Sequence, residues 1–435
     1  MTDTPGFTVE IDQNSYLPAG GSQVDAIVTV TMAGGPEAGA AADGAAPTPT
    51  GDGLEMIIVD CSTSMSGDKI VSARRATAAA IAELRDGVSF TVIAGTQNAE
   101  LVYPPFVGTA TADARTRADA TARVVRLAAN GATGIGAWLT FAGRIADQHP
   151  GAIKHAILLT DGQNGEHQSQ FAAALDACLG KFTCDCRGVG TDWRVDELRA
   201  ISSALLGTVD IVANPSDLAA DFRAIMGAAM GKVLADVALR LWTPRGATVR
   251  FVKQVAPTVE DLTARRTESG TQRGDYPLGS WGAESRDYHV EVQVTPGVVG
   301  DELLAGRVSL VRAGSDNVLA QGLIRAIWTD DTALSTRISR GVAHYTGQAE
   351  LAQAIQDGLA ARKAGDGPTA TARLGRAVAL AAASGNDGTA RLLERVVDVI
   401  DAPSGTVRLR AGVTAADEMT LDTRSTKTIR VRGES

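Results

Sequence analysis

Leu54-Glu55-Met56-Ile57-Ile58-Val59-Asp60-Cys61-Ser62-Thr63-Ser64-Met65-Ser66-Gly67 is the stretch on which the reading of this chain turns. Its apolar run predicts a strand buried on both faces. The run stops at one carboxylate, followed by the three hydroxyls of Ser62, Thr63 and Ser64 and by a glycine at position 67, and a helical pattern begins near Lys69. A hard cation takes oxygen ligands. An aspartate at the carboxyl end of a strand, with hydroxyls at the next two alternate positions, offers three such ligands from one loop. The stretch therefore reads as a magnesium-type metal site.

Outward from it, residues 54–231 alternate between strand and helix patterns. Strands are expected at 54–60, 89–95, 99–103, 153–160, 182–189 and 209–213. Helices are expected near 69–85, 113–128, 134–147, 169–178, 193–206 and 216–230. Such alternation predicts an α/β domain, a doubly wound and mostly parallel sheet covered by helices on both faces. Ligands of such sheets sit beyond the carboxyl ends of the strands. Asp60 falls there, and so does Asp161 in Leu159-Thr160-Asp161-Gly162.

On either side the pattern changes. Two alternating runs, 7–11 and 24–32, are separated by Pro18-Ala19-Gly20-Gly21, and residues 33–53 have the Gly, Ala, Pro and Thr content of a flexible linker. Residues 232–330 alternate between apolar and polar positions with Gly and Pro turns, which predicts an all-β sandwich. Two strands cannot make a domain alone, so residues 1–32 should complete that sandwich, with the α/β domain inserted into it. Residues 331–401 read as a small helical bundle of at least three helices, broken at Gly365-Asp366-Gly367-Pro368 and Ser384-Gly385-Asn386-Asp387-Gly388. Residues 402–435 form a tail whose end reads as a closing strand with Ile429 and Val431 facing inward.

The chain has 435 residues, enough for two to four domains, and a formal net charge of −9, which argues mildly against nucleic acid as a partner. Met1-Thr2-Asp3-Thr4-Pro5-Gly6 lacks the basic and apolar regions of a secretory signal, and no apolar run is long enough to span a bilayer. A cytoplasmic location is the expectation. Cys178, Cys184 and Cys186 cluster in sequence, but Cys184-Asp185-Cys186 lacks the C-x-x-C spacing of common zinc sites, and only His167 offers itself as a fourth ligand. Small buried thiols in or beside a strand explain them more simply.

Asp60, Ser62 and Ser64 stand as D-x-S-x-S, Thr133 lies in Gly131-Ala132-Thr133-Gly134-Ile135-Gly136 before a helix, and Asp161 follows a buried strand. This set is similar to the metal-ion-dependent adhesion site of the von Willebrand factor A domain. The resemblance covers residues 54–231. It implies Ser62, Ser64 and Thr133 as hydroxyl ligands and Asp60 and Asp161 as carboxylates, bound directly or through water, with Mg²⁺ or Mn²⁺ as the ion. Asp60 as a helix cap with Ser62 and Ser64 as turn residues is the simpler alternative, but it leaves Thr133 and Asp161 unexplained. Neutral hydroxyls with two carboxylates leave a divalent ion under-neutralised and open to a carboxylate from a partner. The expected function is therefore protein binding through an Asp or Glu of the partner, without catalysis.

A metal-dependent hydrolase using the same site, or metal-mediated self-assembly, are the alternatives. The chain has no G-x-S-x-G nucleophile elbow, no G-x-x-x-x-G-K-[ST] phosphate loop, and a serine at position 62 where a phosphatase acid would stand. The layout also looks like bacterial cytosolic proteins with this domain embedded in a β-sandwich. That likeness implies a stress-response or signalling complex with kinases, phosphatases or forkhead-associated domains. It lends Thr423, Ser425, Thr426 and Thr428 a reading as a phosphorylation segment, beside the reading as a plain strand. Asp192 reads as a helix cap, or else as a rim residue of the metal site.

Overall fold

The computed structural model describes residues 6–33 and 53–430, so most of the expected 33–53 linker lies outside the described residues. The chain forms two compact units, Gly39–Ala235 and the combination of Met1–Ala38 with Asp236–Ser435.

In the first unit, strand Leu54–Asp60 is buried at every position, as its unbroken apolar run demands. It pairs in parallel with Ser89–Gly95 on one side and Lys154–Thr160 on the other. Thr183–Val189 and Val209–Val212 continue the parallel sheet beyond Lys154–Thr160. Ala99–Tyr103 closes the opposite edge antiparallel to Ser89–Gly95. Helices cover both faces. Ile57 and Val59 pack with Ile70, Ala73 and Ala80 from helix Asp68–Ala82 and with Phe222 and Met226 from helix Leu218–Met230. Trp138, from helix Ile135–Gln148, is fully buried against the bare backbone of Gly95, where an added Cβ would lie 2.4 Å from the indole. Strand order reverses between Leu54–Asp60 and Lys154–Thr160, so a crevice opens at their carboxyl ends.

The second unit is built on two sheets. Phe7–Gln13 and Gln23–Met32 pair with each other, and Gln23–Met32 pairs across ten residues with Glu284–Gln293. Thr248–Ala256 and Glu260–Asp261 complete that sheet. The other sheet runs through Thr267–Gly270, Arg273–Trp281, Leu234–Trp242, Glu302–Arg312, Val318–Thr329 and the short Tyr16–Pro18. The sheets meet face to face where Phe7 packs edge-on against Trp281 at 5.5 Å, and where Val9 and Ile11 fill the space left by Gly322. Helices Arg340–Lys363 and Gly367–Ser384 pack closely at Gly358, where a Cβ would come within 2.7 Å of Leu374.

Two stretches depart from the sequence expectation. Val397–Asp401 is a strand paired with Thr406–Leu409, where the bundle was expected to continue, because Val397 and Val399 alternate onto the helical core. In the tail, Ala415–Arg424 is a helix. Thr414 caps it through Asp417 N, and Asp417 and Glu418 favour its first turn. No closing strand forms over the described part. Thr426 O accepts from Val259 N, and one bridge joins Thr258 to Lys427; Val431 lies outside the described residues. Of the four hydroxyls in the phosphorylation reading, those of Thr423 and Ser425 are buried and that of Thr428 donates to Val255 O at 2.6 Å, while Thr426 is half-buried. Among the described residues no helix is long and apolar enough to cross a membrane.

Candidate metal centre

Asp60 ends its strand fully buried. Its two oxygens are fixed separately, Oδ1 accepting from Ser62 N at 2.7 Å and Oδ2 from Thr160 Oγ1 at 2.5 Å. Burial pushes the Asp60 carboxyl above its usual range, against the opposing pull of these hydrogen bonds. After Asp60 the chain makes one 3₁₀ turn, Thr63–Met65, anchored by the buried Met65, and enters helix Asp68–Ala82 through Gly67 at φ +77°. That turn aims two hydroxyls the same way. Ser62 Oγ and Ser64 Oγ lie 2.9 Å apart, and Ser64 Oγ donates to Asp161 Oδ1 at 2.7 Å.

Thr133 arrives from a loop held at several points. Gly131 O accepts from both Thr63 N and Thr63 Oγ1, Gly134 N donates to Thr96 O, and Gly165 N donates to Thr133 O. Gln97 Oε1 accepts from Ala132 N at 3.2 Å. Glu166 closes the arrangement by accepting from Gly136 N and Ala137 N at the start of helix Ile135–Gln148, the place where a carboxylate best meets free amides.

Gly162 marks where these groups converge. A Cβ built on it would lie 3.1 Å from Thr133 Oγ1, 3.3 Å from Ser64 Oγ and 4.0 Å from Asp60 Oδ2. The five residues singled out in the sequence, Asp60, Ser62, Ser64, Thr133 and Asp161, are thus brought together at the sheet's reversal point. Their donor set is all oxygen, three neutral and two anionic, which fits a hard divalent cation. Among the described residues no three His, Cys, Asp or Glu side chains form a group that could hold a metal ion, so hydroxyls are indispensable to any site here.

Sequence reasoning missed Lys69. Its ammonium donates to Asp161 Oδ2 at 2.6 Å and reaches Asp192 Oδ2 at 3.3 Å. Partial burial opposes its charge, but the bonds to the two aspartates win and raise its pKa. Asp192 therefore belongs to the rim of the site. Helix Val195–Ala204 begins at Arg194 without a side-chain cap, so the capping role expected of Asp192 is not taken up. The signal for Lys69 was present in Ser64-Met65-Ser66-Gly67-Asp68-Lys69, one helical turn from the hydroxyls, but it read as the start of a helix. Thr160 and Glu166 carried no comparable signal.

The cysteines have a plainer role. All four are free and buried, with Cys184 and Cys186 on one strand and their sulfurs 3.9 Å apart. Burial pushes the Cys61 thiol up to about 12 and that of Cys178 up to about 11, away from the thiolate that metal or redox chemistry needs. His167 caps its own helix, Gln168–Cys178.

Comparison with known proteins gives the arrangement its context. Residues 56–211 match the model of the von Willebrand factor type A domain, and residues 379–425 match that of the von Willebrand factor type A C-terminal domain. A solved von Willebrand factor type A protein from Catenulispora acidiphila is 49% identical over 99% of both chains, with a TM-score of 0.91. The chain belongs to the von Willebrand factor type A family. A second structure, the ArnB paralog VWA2 from Sulfolobus acidocaldarius, is 12% identical over 97% of this chain and 98% of its own, with a TM-score of 0.58, and shares the fold. A search of curated proteins found no match. Von Willebrand A domains commonly act in metal-dependent protein interaction and are typically non-catalytic. The second match falls on the helical segment that follows the sandwich of this von Willebrand A protein.

Proposed function

We propose that this chain is a metal-dependent protein-binding module, in which Asp60, Ser62, Ser64, Thr133 and Asp161 hold Mg²⁺ or Mn²⁺ for a partner's Asp or Glu. The convergence of Thr133 Oγ1, Ser64 Oγ and Asp60 Oδ2 around Gly162 carries this reading. The bound ion would supply a Lewis-acidic position left open by the protein's own donors.

The chain's residues prepare that position. Thr160 and Ser62 N orient Asp60, Ser64 links to Asp161, and the hydrogen bonds of Gly165, Gln97 and Glu166 hold the Thr133 loop in place. Three of the five donors are uncharged, so the ion would remain a Lewis acid able to take a partner carboxylate as a further ligand. Catalysis has no such support. The oxygens are tied to one another and to Lys69, and among the described residues no histidine or cysteine is hydrogen-bonded to them as a base or nucleophile.

The same reading extends to a cytoplasmic, bacterial setting, where the module scaffolds a stress-response or signalling complex that includes kinases, phosphatases or forkhead-associated-domain proteins. The Catenulispora acidiphila relative supports the bacterial setting. Affinity capture from native lysate tests the whole proposal. Partners should be retained in magnesium and lost in EDTA, and Asp60→Ala and Asp161→Ala should lose them in either buffer. Equal capture by both variants and by metal-free protein would refute the adhesion mechanism. Turnover of a phosphoester by pure protein would favour a hydrolase.

A further inference from the structure

Lys69 is the one cation hydrogen-bonded to the proposed donor set among the described residues, and its position is built. Its side chain is 26% exposed, while Asp161, which it contacts, is fully buried. The turn after strand Thr183–Val189 closes over its stem. Gly190, at φ +69°, lies so near that a Cβ there would sit 3.8 Å from Lys69 Cε and 4.0 Å from Nζ. The same turn supplies Asp192, whose side chain is 71% exposed. The ammonium thus stands between two acceptors, one inside the donor set and one at its rim.

We propose that Lys69 is a resident counter-cation that makes the centre depend on its anionic ligand. The inference rests on the metal-site reading above. Asp60 and Asp161 bring two negative charges, and Lys69 cancels one of them. A divalent ion then leaves the cluster with one net positive charge, where a site without Lys69 would be neutral. Bare metal binds weakly because Lys69 competes for Asp161 Oδ2 and repels the ion. A ligand carboxylate restores neutrality, so ion and ligand bind with positive coupling. Asp192 gives the displaced ammonium an acceptor that is already within reach. A centre of this kind stays largely unloaded until an acidic partner arrives, and it releases the ion with the partner.

The test is a Mn²⁺ titration of the full chain followed by electron paramagnetic resonance, with and without acetate as the carboxylate probe. Lys69→Met should bind Mn²⁺ roughly tenfold tighter than wild type. Asp192→Asn should bind it about threefold more weakly, and that effect should shrink by more than half in the Lys69→Met background, because Asp192 acts through the lysine. Acetate should tighten Mn²⁺ binding in wild type and do so much less in Lys69→Met. Should Lys69→Met not fold, Lys69→Gln makes the same comparison. If Asp60→Ala binds Mn²⁺ as well as wild type does, the metal site itself is wrong. If Asp60→Ala abolishes binding but both Lys69 variants bind no tighter than wild type, the metal site stands and the role given to Lys69 is wrong.

Discussion

Gly162→Ala is the smallest change that addresses the proposed metal centre directly. The added methyl would stand 3.1 Å from Thr133 Oγ1 and 3.3 Å from Ser64 Oγ, tighter than ordinary contact, with Asp60 Oδ2 at 4.0 Å. No backbone atom lies within reach of it, and the φ of Gly162 is outside the left-handed region, so alanine fits the main chain. The hydroxyls must therefore yield by a few tenths of an ångström. Mg²⁺ holds its ligands at about 2.0–2.1 Å in near-ideal octahedral geometry, so a shift of ~0.3 Å forfeits a ligand. Loss of one or two hydroxyl ligands should weaken Mn²⁺ or Mg²⁺ binding about 10- to 100-fold, or about 1.4–2.7 kcal/mol. Folding stability in EDTA should change by less than about 1 kcal/mol. Calorimetric titration with Mn²⁺, paired with a thermal melt in EDTA, separates the two effects. Gly162→Ala binding metal as wild type does, with an unchanged melt, would mean that the oxygens around Gly162 are not the coordination shell.

Other consequences concern the sheet that carries the centre. His155 bridges Glu55 at 2.7 Å and Asp185 at 3.0 Å, so His155→Gln should destabilise the fold by about 3 kcal/mol by urea denaturation, since it strands buried carboxylates. Burial alone would lower the His155 pKa from 6.5, but its two carboxylates carry it to about 10. The histidine's contribution is therefore complete below pH 6.5 and fades as the pH rises through 10, while Asp185, whose pKa is lowered, loses its share in acid. The stability gap between wild type and His155→Gln should shrink as the pH approaches 10. Gly188→Ala would drive a methyl to 1.9 Å from the Trp193 ring and should cost at least about 2 kcal/mol in the same assay. Ellman's reagent should label no thiol in the native protein and all four after denaturation, because each cysteine is buried.

Much of this was legible locally. The strand Leu54–Asp60 declared itself because burial on both faces permits no polar alternation, and the hydroxyls after Asp60 are spaced for one loop. Thr133 and Asp161 were recognisable as motif positions because each sits at an edge whose chemistry resembles a known family's. The failures have equally local causes. Val397–Asp401 follows a long helical pattern, and only its pairing with Thr406–Leu409 makes it a strand. The tail has β-branched residues at its end, yet the cap at Thr414 and the burial of Leu421 against the helical core decide for helix. Asp192 sits before a helix and looks like a cap, but Lys69 claims its carboxylate.

The sequence by itself determined the type of sheet and the oxygen-bearing residues proposed as donors. Hydrophobic period and residue chemistry are properties of short segments, and they survive without knowledge of neighbours. Only the tertiary structure decided how the charges on those donors are balanced. Asp161 is 92 residues from Lys69 and Asp60 is 100 from Thr160, and no local rule couples positions so far apart. Parallel pairing of Leu54–Asp60 with Lys154–Thr160 sets their carboxyl ends side by side, and the lysine and threonine then settle the electrostatics of the centre.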